Sequence, residues 1–300
     1  MRDVAVLSFA ETPGGIRDAD ETEMLFEVIG AAIADSGLTR RQIGFTVSGS
    51  CDFVVGRPFS FVTALDAAGA WPPIAESHVE MDGAWALHEA WVHLQTGEVD
   101  AALIYAFGRS SLGPLRDVLT LQLDPYLVAP LRPDALAVAR LQARALIDAG
   151  RAGEADFPGD DEPLAEDGAA AMVIAAGELA ARGRAWIRGI DHRIEAQSLG
   201  ARDLTRSPST KQAAARAGAF ARPVDHAELH TPFRHQGIIL REALGLETAH
   251  TAAAPIMVAG LARVGHAARA ILDGRAGRAL AHATSGPCLQ QNLVCVLEAA

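Results

Sequence analysis

Residues 82–108 read DGAWALHEAWVHLQTGEVDAALIYAFG, and residues 255–286 read PIMVAGLARVGHAARAILDGRAGRALAHATSG. In the first stretch Asp82 to Gln95 carries the small and apolar residues of a buried helix, Gly97 stops it, and Ala101 to Phe107 is an apolar strand closed by Gly108. In the second, Pro255 to Leu272 is again a helix of small and apolar residues. Asp273-Gly274 turns the chain, and Arg278 to Ala283 is a strand closed by Ser285-Gly286. The unit of small-residue helix, glycine turn and strand therefore occurs twice, at similar spacing, which points to an internal duplication. A helix that is apolar on all sides is buried on several sides. Small side chains would let such a pair sit close together between two sheets, although alanine also favours helices without any such packing.

The rest of the chain fits two α/β halves around this pair. Val4 to Leu7 is a short strand, and Thr22 to Ser36 is an amphipathic helix with Met24, Leu25, Val28, Ile29, Ala32 and Ile33 on one face, stopped by Gly37. Phe45 to Gly49, Ala185 to Ile190 and Asn292 to Glu298 read as further strands, and Gly168 to Ala176 as an apolar run opening the second half. Alternating strands and helices favour layered α/β architecture. We expect an N-terminal half over 1–112, a short loop and substrate region over 113–167 and a C-terminal half over 168–300.

Composition excludes several classes. With 50% hydrophobic residues the chain has material for a large core, yet its apolar runs stop short of the ~20 residues that cross a bilayer. The N-terminus lacks the pattern of a secretory signal, and three scattered cysteines, Cys51, Cys288 and Cys295, argue against a disulfide framework. Both features suggest a reducing, cytoplasmic setting. A net charge of −11 disfavours nucleic acid. No Cys/His group has zinc-site spacing in sequence, so no metal is expected. The stretch from Glu154 to Asp167, with Asp160-Asp161-Glu162, reads as a solvated acidic loop.

Several segments resemble the thiolase superfamily, in particular its sterol-carrier-protein-x and lipid-transfer-protein-like branch. Glu80-Met81-Asp82-Gly83-Ala84-Trp85-Ala86-Leu87 is similar to a Cys-x-x-Gly-x-x-Ala-Leu nucleophile segment, with Glu80 on the cysteine. Glu228-Leu229-His230-Thr231-Pro232-Phe233 resembles a His-Asp-x-Phe segment, and Glu242-Ala243-Leu244-Gly245-Leu246 the Glu-Ala-Leu-Gly-Leu that trails it. Ala253-Ala254-Pro255 with Gly260 resembles Gly-His-Pro-x-Gly-x-x-Gly, with Ala254 replacing the histidine. His282 and Ser285-Gly286 resemble the C-terminal catalytic loop. The resemblance implies a five-layer αβαβα fold with a shortened substrate loop region. It also implies acyl-CoA as substrate with no cofactor beyond the CoA it carries. Its implied partners are a second copy, a thiolase-like paralogue, or a small OB-fold, zinc-ribbon protein.

A carboxylate cannot replace the thiolate of an acyl-enzyme, because attack on a thioester would give a reactive anhydride. Two functions follow. The first is a retro-aldol C–C lyase on a β-hydroxyacyl-CoA, such as a sterol side chain, with Glu80, His230 and His282 as acid/base and oxyanion groups. The second is a non-catalytic scaffold subunit. Glu80 has a simpler reading as a carboxylate meeting a helix dipole, and Asp82 as the N-cap of that helix. Asp82, Tyr126, Ala254 and Gly286 are the substrate-binding candidates. His78 would border the cleft, while His226, His235 and His250 read as surface residues. The loop from Arg202 to Thr210 would be a surface loop or a contact for CoA phosphates.

Overall fold

A computed structural model describes residues 1–113, 115–157, 166–253 and 255–300. The strands are β1 (Val4–Glu11), β2 (Phe45–Gly49), β3 (Glu76–Val79), β4 (Ala101–Arg109), β5 (Asp167–Ala176), β6 (Ala185–Ile194), β7 (His226–His230), β8 (His250–Ala252), β9 (Arg278–Ser285) and β10 (Gln291–Ala299). The helices are α1 (Glu21–Ser36), α2 (Asp52–Val55), α3 (Ser60–Ala68), α4 (Gly83–Thr96), α5 (Leu115–Thr120), α6 (Ala135–Asp148), α7 (Pro208–Arg216), α8 (Gln236–Leu244) and α9 (Ala259–Leu272).

The strands form one sheet in the order β3-β2-β4-β5-β1-β6-β10-β9-β7-β8. Read inward from its two ends, the sheet gives 3-2-4-5-1 and 8-7-9-10-6, the same order with each number raised by five. Strand directions repeat as well. β2 runs parallel to β3 and β4 while β5 is antiparallel to β4 and β1, and β7, β8, β9, β10 and β6 repeat the scheme. The halves meet where β1 pairs antiparallel with β6. The duplication is thus five strands against five. It assigns β5 to the first half, so the boundary expected before residue 168 falls instead between Ala176 and Ala185.

Both central helices have 14 residues and lie between the half-sheets, with α1 and α3 outside one and α7 and α8 outside the other. The inner core joins Ala84, Leu87, Ala90 and Leu94 of α4 to Leu261, Val264 and Ala268 of α9, and to inward residues of both half-sheets. The outer cores lie under α1 on one side and under α7 and α8 on the other. Glycines set the spacing. A Cβ on Gly83 would stand 2.6 Å from the Ala106 Cβ and 3.0 Å from the Leu261 Cβ, and one on Gly168 would stand 2.6 Å from the Pro255 ring.

Sequence and structure differ in two elements. The helix expected from Pro255 starts only at Ala259, because Met257 adopts φ 71° and turns its carbonyl to accept the Gly83 N–H at 2.9 Å. Of the acidic stretch, residues 158–165, with Asp160, Asp161 and Glu162, lie outside the described residues. Asp167 is fully buried, and its carboxylate accepts from the Ser111 hydroxyl at 2.6 Å and the Ser111 N–H at 3.1 Å. Among the described residues no helix is long and apolar enough to cross a membrane.

Candidate functional site

The N-termini of α4 and α9 converge, and the Asp82 side chain lies where they meet. Asp82 caps α4, its Oδ1 accepting the Ala84 N–H at 2.8 Å. The same carboxylate accepts the Gly260 N–H at 2.9 Å and the Leu261 N–H at 3.1 Å from the first turn of α9. One carboxylate therefore meets the exposed N–H groups, and the positive dipole ends, of two helices at once. Burial pushes its pKa up, while the three N–H donors pull the other way. Gly260 makes the approach possible, since a Cβ there would collide with Asp82 Oδ1 and with the Ala283 Cβ.

Asp82 opens onto a cavity of ≈ 110 Å³. The cavity is lined by Ile256 and Met257, just before α9, and by His230, Phe233 and Gln236. The turn from Thr284 to Cys288 also lines it, as do Leu119, Leu123, Val138 and Ala139 from the segment between β4 and β5. The lining is mainly apolar. Met257, Cys288 and the adjoining Leu289 have φ of 71°, 54° and 58°, a region that residues other than glycine occupy only when their surroundings hold them there. Arg202 supplies such a hold for the turn, donating to the Pro287 carbonyl at 3.0 Å and the Cys288 carbonyl at 3.2 Å. Its guanidinium is thus engaged with the turn instead of being presented to a phosphate.

His230 is buried at the end of β7. Its Nε2–H donates to the Ala253 carbonyl at 3.3 Å, and Nδ1 accepts the Thr284 N–H at 3.5 Å. Burial holds its pKa down to about 4, so the ring is neutral near pH 7. Gly286 sits on the cavity wall with φ 73°. Asp82, His230 and Gly286 therefore share one cavity. Ala254 lies outside the described residues, although Ala253 and Ile256 beside it line the cavity.

The other expected site residues lie elsewhere. Glu80 projects away from the cavity with its side chain 48% exposed; it accepts the Asp52 N–H at 2.7 Å and faces His78 Nε2 at 3.2 Å. The tight turn in which the Met81 N–H bonds the Val79 carbonyl separates Glu80 from Asp82 in direction. His78 is likewise off the cavity, bonded to the Ser48 hydroxyl at 2.8 Å and stacked on Phe61. His282 is fully buried in β9, where its Nε2 meets Asn292 Oδ1 at 2.9 Å. Burial drives its pKa down to about 3. Its neighbours Ala281 and Ala283 belong to the inner core while Leu280, on the face of His282, packs with the outer helices. Tyr126 is 87% exposed and does not line the cavity. His235, expected at the surface, is buried against Gln142 Oε1 at 2.9 Å.

No cysteine is set up as a nucleophile. Cys288 reaches the cavity wall, but burial pushes its pKa up to about 11; Cys295 is buried in β10 with its pKa pushed up to about 12. Cys51 precedes α2, and burial, then the Glu80 charge, raise its pKa too.

No family model matches the chain, and no curated protein matches it. Its fold is that of known structures. The crystal structure of human mitochondrial 3-ketoacyl-CoA thiolase superposes with a TM-score of 0.73 at 15% identity, covering 100% of this chain and 99% of that one. The same human enzyme in complex with CoA gives 0.69 at 14% identity, covering 100% and 98%. The chain has the thiolase fold.

Proposed function

We propose that this protein is a non-catalytic thiolase-like subunit that cradles a short acyl group of an acyl-CoA beside a catalytic partner. The observation that carries the reading is the Asp82 carboxylate at the joint N-termini of α4 and α9. Helix N-termini serve acyl transfer by offering N–H groups to a developing oxyanion. Here three of those groups are already bonded to a carboxylate of the chain itself, and a second negative charge beside it would be repelled. Burial pushes the pKa of all three cysteine thiols up, which disfavours the acyl-enzyme route. What remains is a small apolar cavity. Its ≈ 110 Å³ is well below the ~300 Å³ at which drug-sized ligand pockets begin, which favours a short acyl unit over a sterol. The partner would be a thiolase-like paralogue or a small OB-fold protein.

A retro-aldol lyase is the second reading, and one observation favours it: a buried carboxylate of raised pKa and a neutral imidazole line the same cavity. In that reading the base is Asp82 and the polarising group His230; Glu80 has no part. Calorimetry with acetyl-CoA and with a short β-hydroxyacyl-CoA, followed by product analysis, separates the two. The scaffold reading expects saturable binding and unchanged ligand. Cleavage of the β-hydroxyacyl-CoA that Asp82→Asn abolishes and Glu80→Gln leaves intact would replace it with the lyase. Absence of binding to either ligand would remove the acyl-CoA part of both.

A further inference from the structure

Strand β7 reads His226-Ala227-Glu228-Leu229-His230. Alternation puts His226, Glu228 and His230 on one face of the strand. His230 serves the cavity; the other two look into a separate cluster. β8, at the end of the sheet, runs parallel to β7 and sets His250 opposite Glu228. The ligand-type atoms of His226, Glu228 and His250 all lie within 4.8 Å of one another. His226 Nε2 is 2.8 Å from Glu228 Oε1, and the rings of His226 and His250 stack with centroids 4.8 Å apart.

The surroundings of Glu228 orient it. Its other oxygen, Oε2, accepts from Arg263 Nη1 at 2.7 Å and has His266 Nδ1 at 3.9 Å. His266 is itself fixed by Glu11, whose Oε1 lies 2.6 Å from its Nε2, and Arg269 reaches the same oxygen at 3.1 Å. Oε1 of Glu228 is thereby left for His226 and for anything that displaces the proton between them. Glu228 is buried, His226 partly buried and His250 exposed, so the cluster has a fixed base and one movable arm toward solvent.

We propose that His226, Glu228 and His250 bind one divalent transition-metal ion, with zinc as the best match. Two imidazoles and one carboxylate suit Zn²⁺ and its neighbours, whereas Mg²⁺ and Ca²⁺ take oxygen ligands. At bonds of ~2.0–2.1 Å a tetrahedral ion holds its ligand atoms ~3.4 Å apart. To reach that spacing the His226–Glu228 contact opens from 2.8 Å, and the exposed His250 side chain rotates out of its stack to bring one ring nitrogen closer. The ion takes the lone pair of His226 Nε2 and of one His250 ring nitrogen; the proton now between Nε2 and Oε1 leaves to solvent or moves to Nδ1. The Arg263 contact then acts as the outer support that ligating carboxylates ordinarily have. The fourth position faces solvent.

The test uses the full chain, free of any affinity tag and stripped with a chelator. Co²⁺ is titrated while its visible absorption is recorded, and Zn²⁺ is then used to displace it. The site predicts one equivalent of Co²⁺ with the absorption of a low-coordinate ion. His250→Ala and His226→Ala should each weaken it by at least about 100-fold. His93→Ala, on α4, should leave it unchanged. His250 is exposed on an end strand, so its alanine variant should keep the fold, which circular dichroism of the metal-free forms checks. Absence of a Co²⁺ spectrum in the wild-type chain, or a spectrum that survives His250→Ala, would overturn the proposal.

Discussion

The two halves share one strand order and one central-helix length but differ in what lies at equivalent places. β2 in the first half reads Phe45-Thr46-Val47-Ser48-Gly49, while its counterpart β7 reads His226-Ala227-Glu228-Leu229-His230. α4 turns Ala84, Leu87, Ala90 and Leu94 inward; α9 adds Arg263, His266 and Arg269 to its small residues and engages Glu228 and Glu11 with them. Side-chain size and periodicity set the skeleton common to both copies, whereas the ionisable side chains placed on it differ from one copy to the other. Asp82 of the first half reaches across and joins the two helix ends, as Glu11 of β1 reaches His266 and Arg269 of α9.

Breaking that joint should have the largest effect. Asp82→Ala leaves three buried N–H groups without an acceptor, which costs about 5 kcal/mol. Urea unfolding should show the loss as a lower midpoint at an unchanged slope. Asp82→Asn, which keeps one acceptor oxygen, should lose clearly less. Equal stability of the alanine variant and the wild type would mean that the halves are held together elsewhere.

The buried histidines sharpen the comparison through pH. His230 and His282 belong to the second half, and burial lowers their folded-state pKa values to about 4 and about 3. Unfolded, each titrates near ~6.5. The unfolded chain therefore binds more protons below ~6.5, and stability falls as the pH drops from there toward the folded-state values. The loss should be on the order of 3 kcal/mol per group. Unfolding midpoints between pH 7 and pH 4.5 check it, and His282→Gln should flatten the slope. A variant with the wild-type slope would show that His282 has no share in it.

A smaller effect is expected at the glycine on the second helix. Gly260→Ala drives a methyl against Asp82 and Ala283 and should cost about 2–3 kcal/mol. The smallest belongs to Glu80→Gln. With its side chain 48% exposed, and its partners the Asp52 N–H and His78, Glu80 should change stability by less than about 1 kcal/mol. Ligand binding should not change. Thermal unfolding and calorimetry read both.

Much of the skeleton was legible because periodicity and glycine act locally. The α1 stripe, its Gly37 stop, the helix–turn–strand unit at 82–108 and its repeat at 255–286 need no distant information. The half boundary was not legible, since β5 reads alike as the end of one half or the start of the next until it is paired with β4 and β1. The site was legible in part. Motif register led to Glu80, but one tight turn sends Glu80 outward and leaves Asp82 between the helices. Motif position likewise led to His282, while strand alternation turns it toward the outer layer. The same alternation was a usable signal for His226 and Glu228, two apart on one strand; that His250 stands opposite required the pairing of β7 with β8.

The proposed function has the cavity taking the short acyl group of an acyl-CoA without forming an acyl-enzyme. It is tested most directly by incubating the chain with excess acetyl-CoA and following free thiol and the intact mass of the protein together. The account predicts no released CoA and an unshifted mass. A shift by one acetyl group with stoichiometric CoA release, lost in Cys288→Ala or Cys51→Ala, would contradict it and make the chain a cysteine acyltransferase.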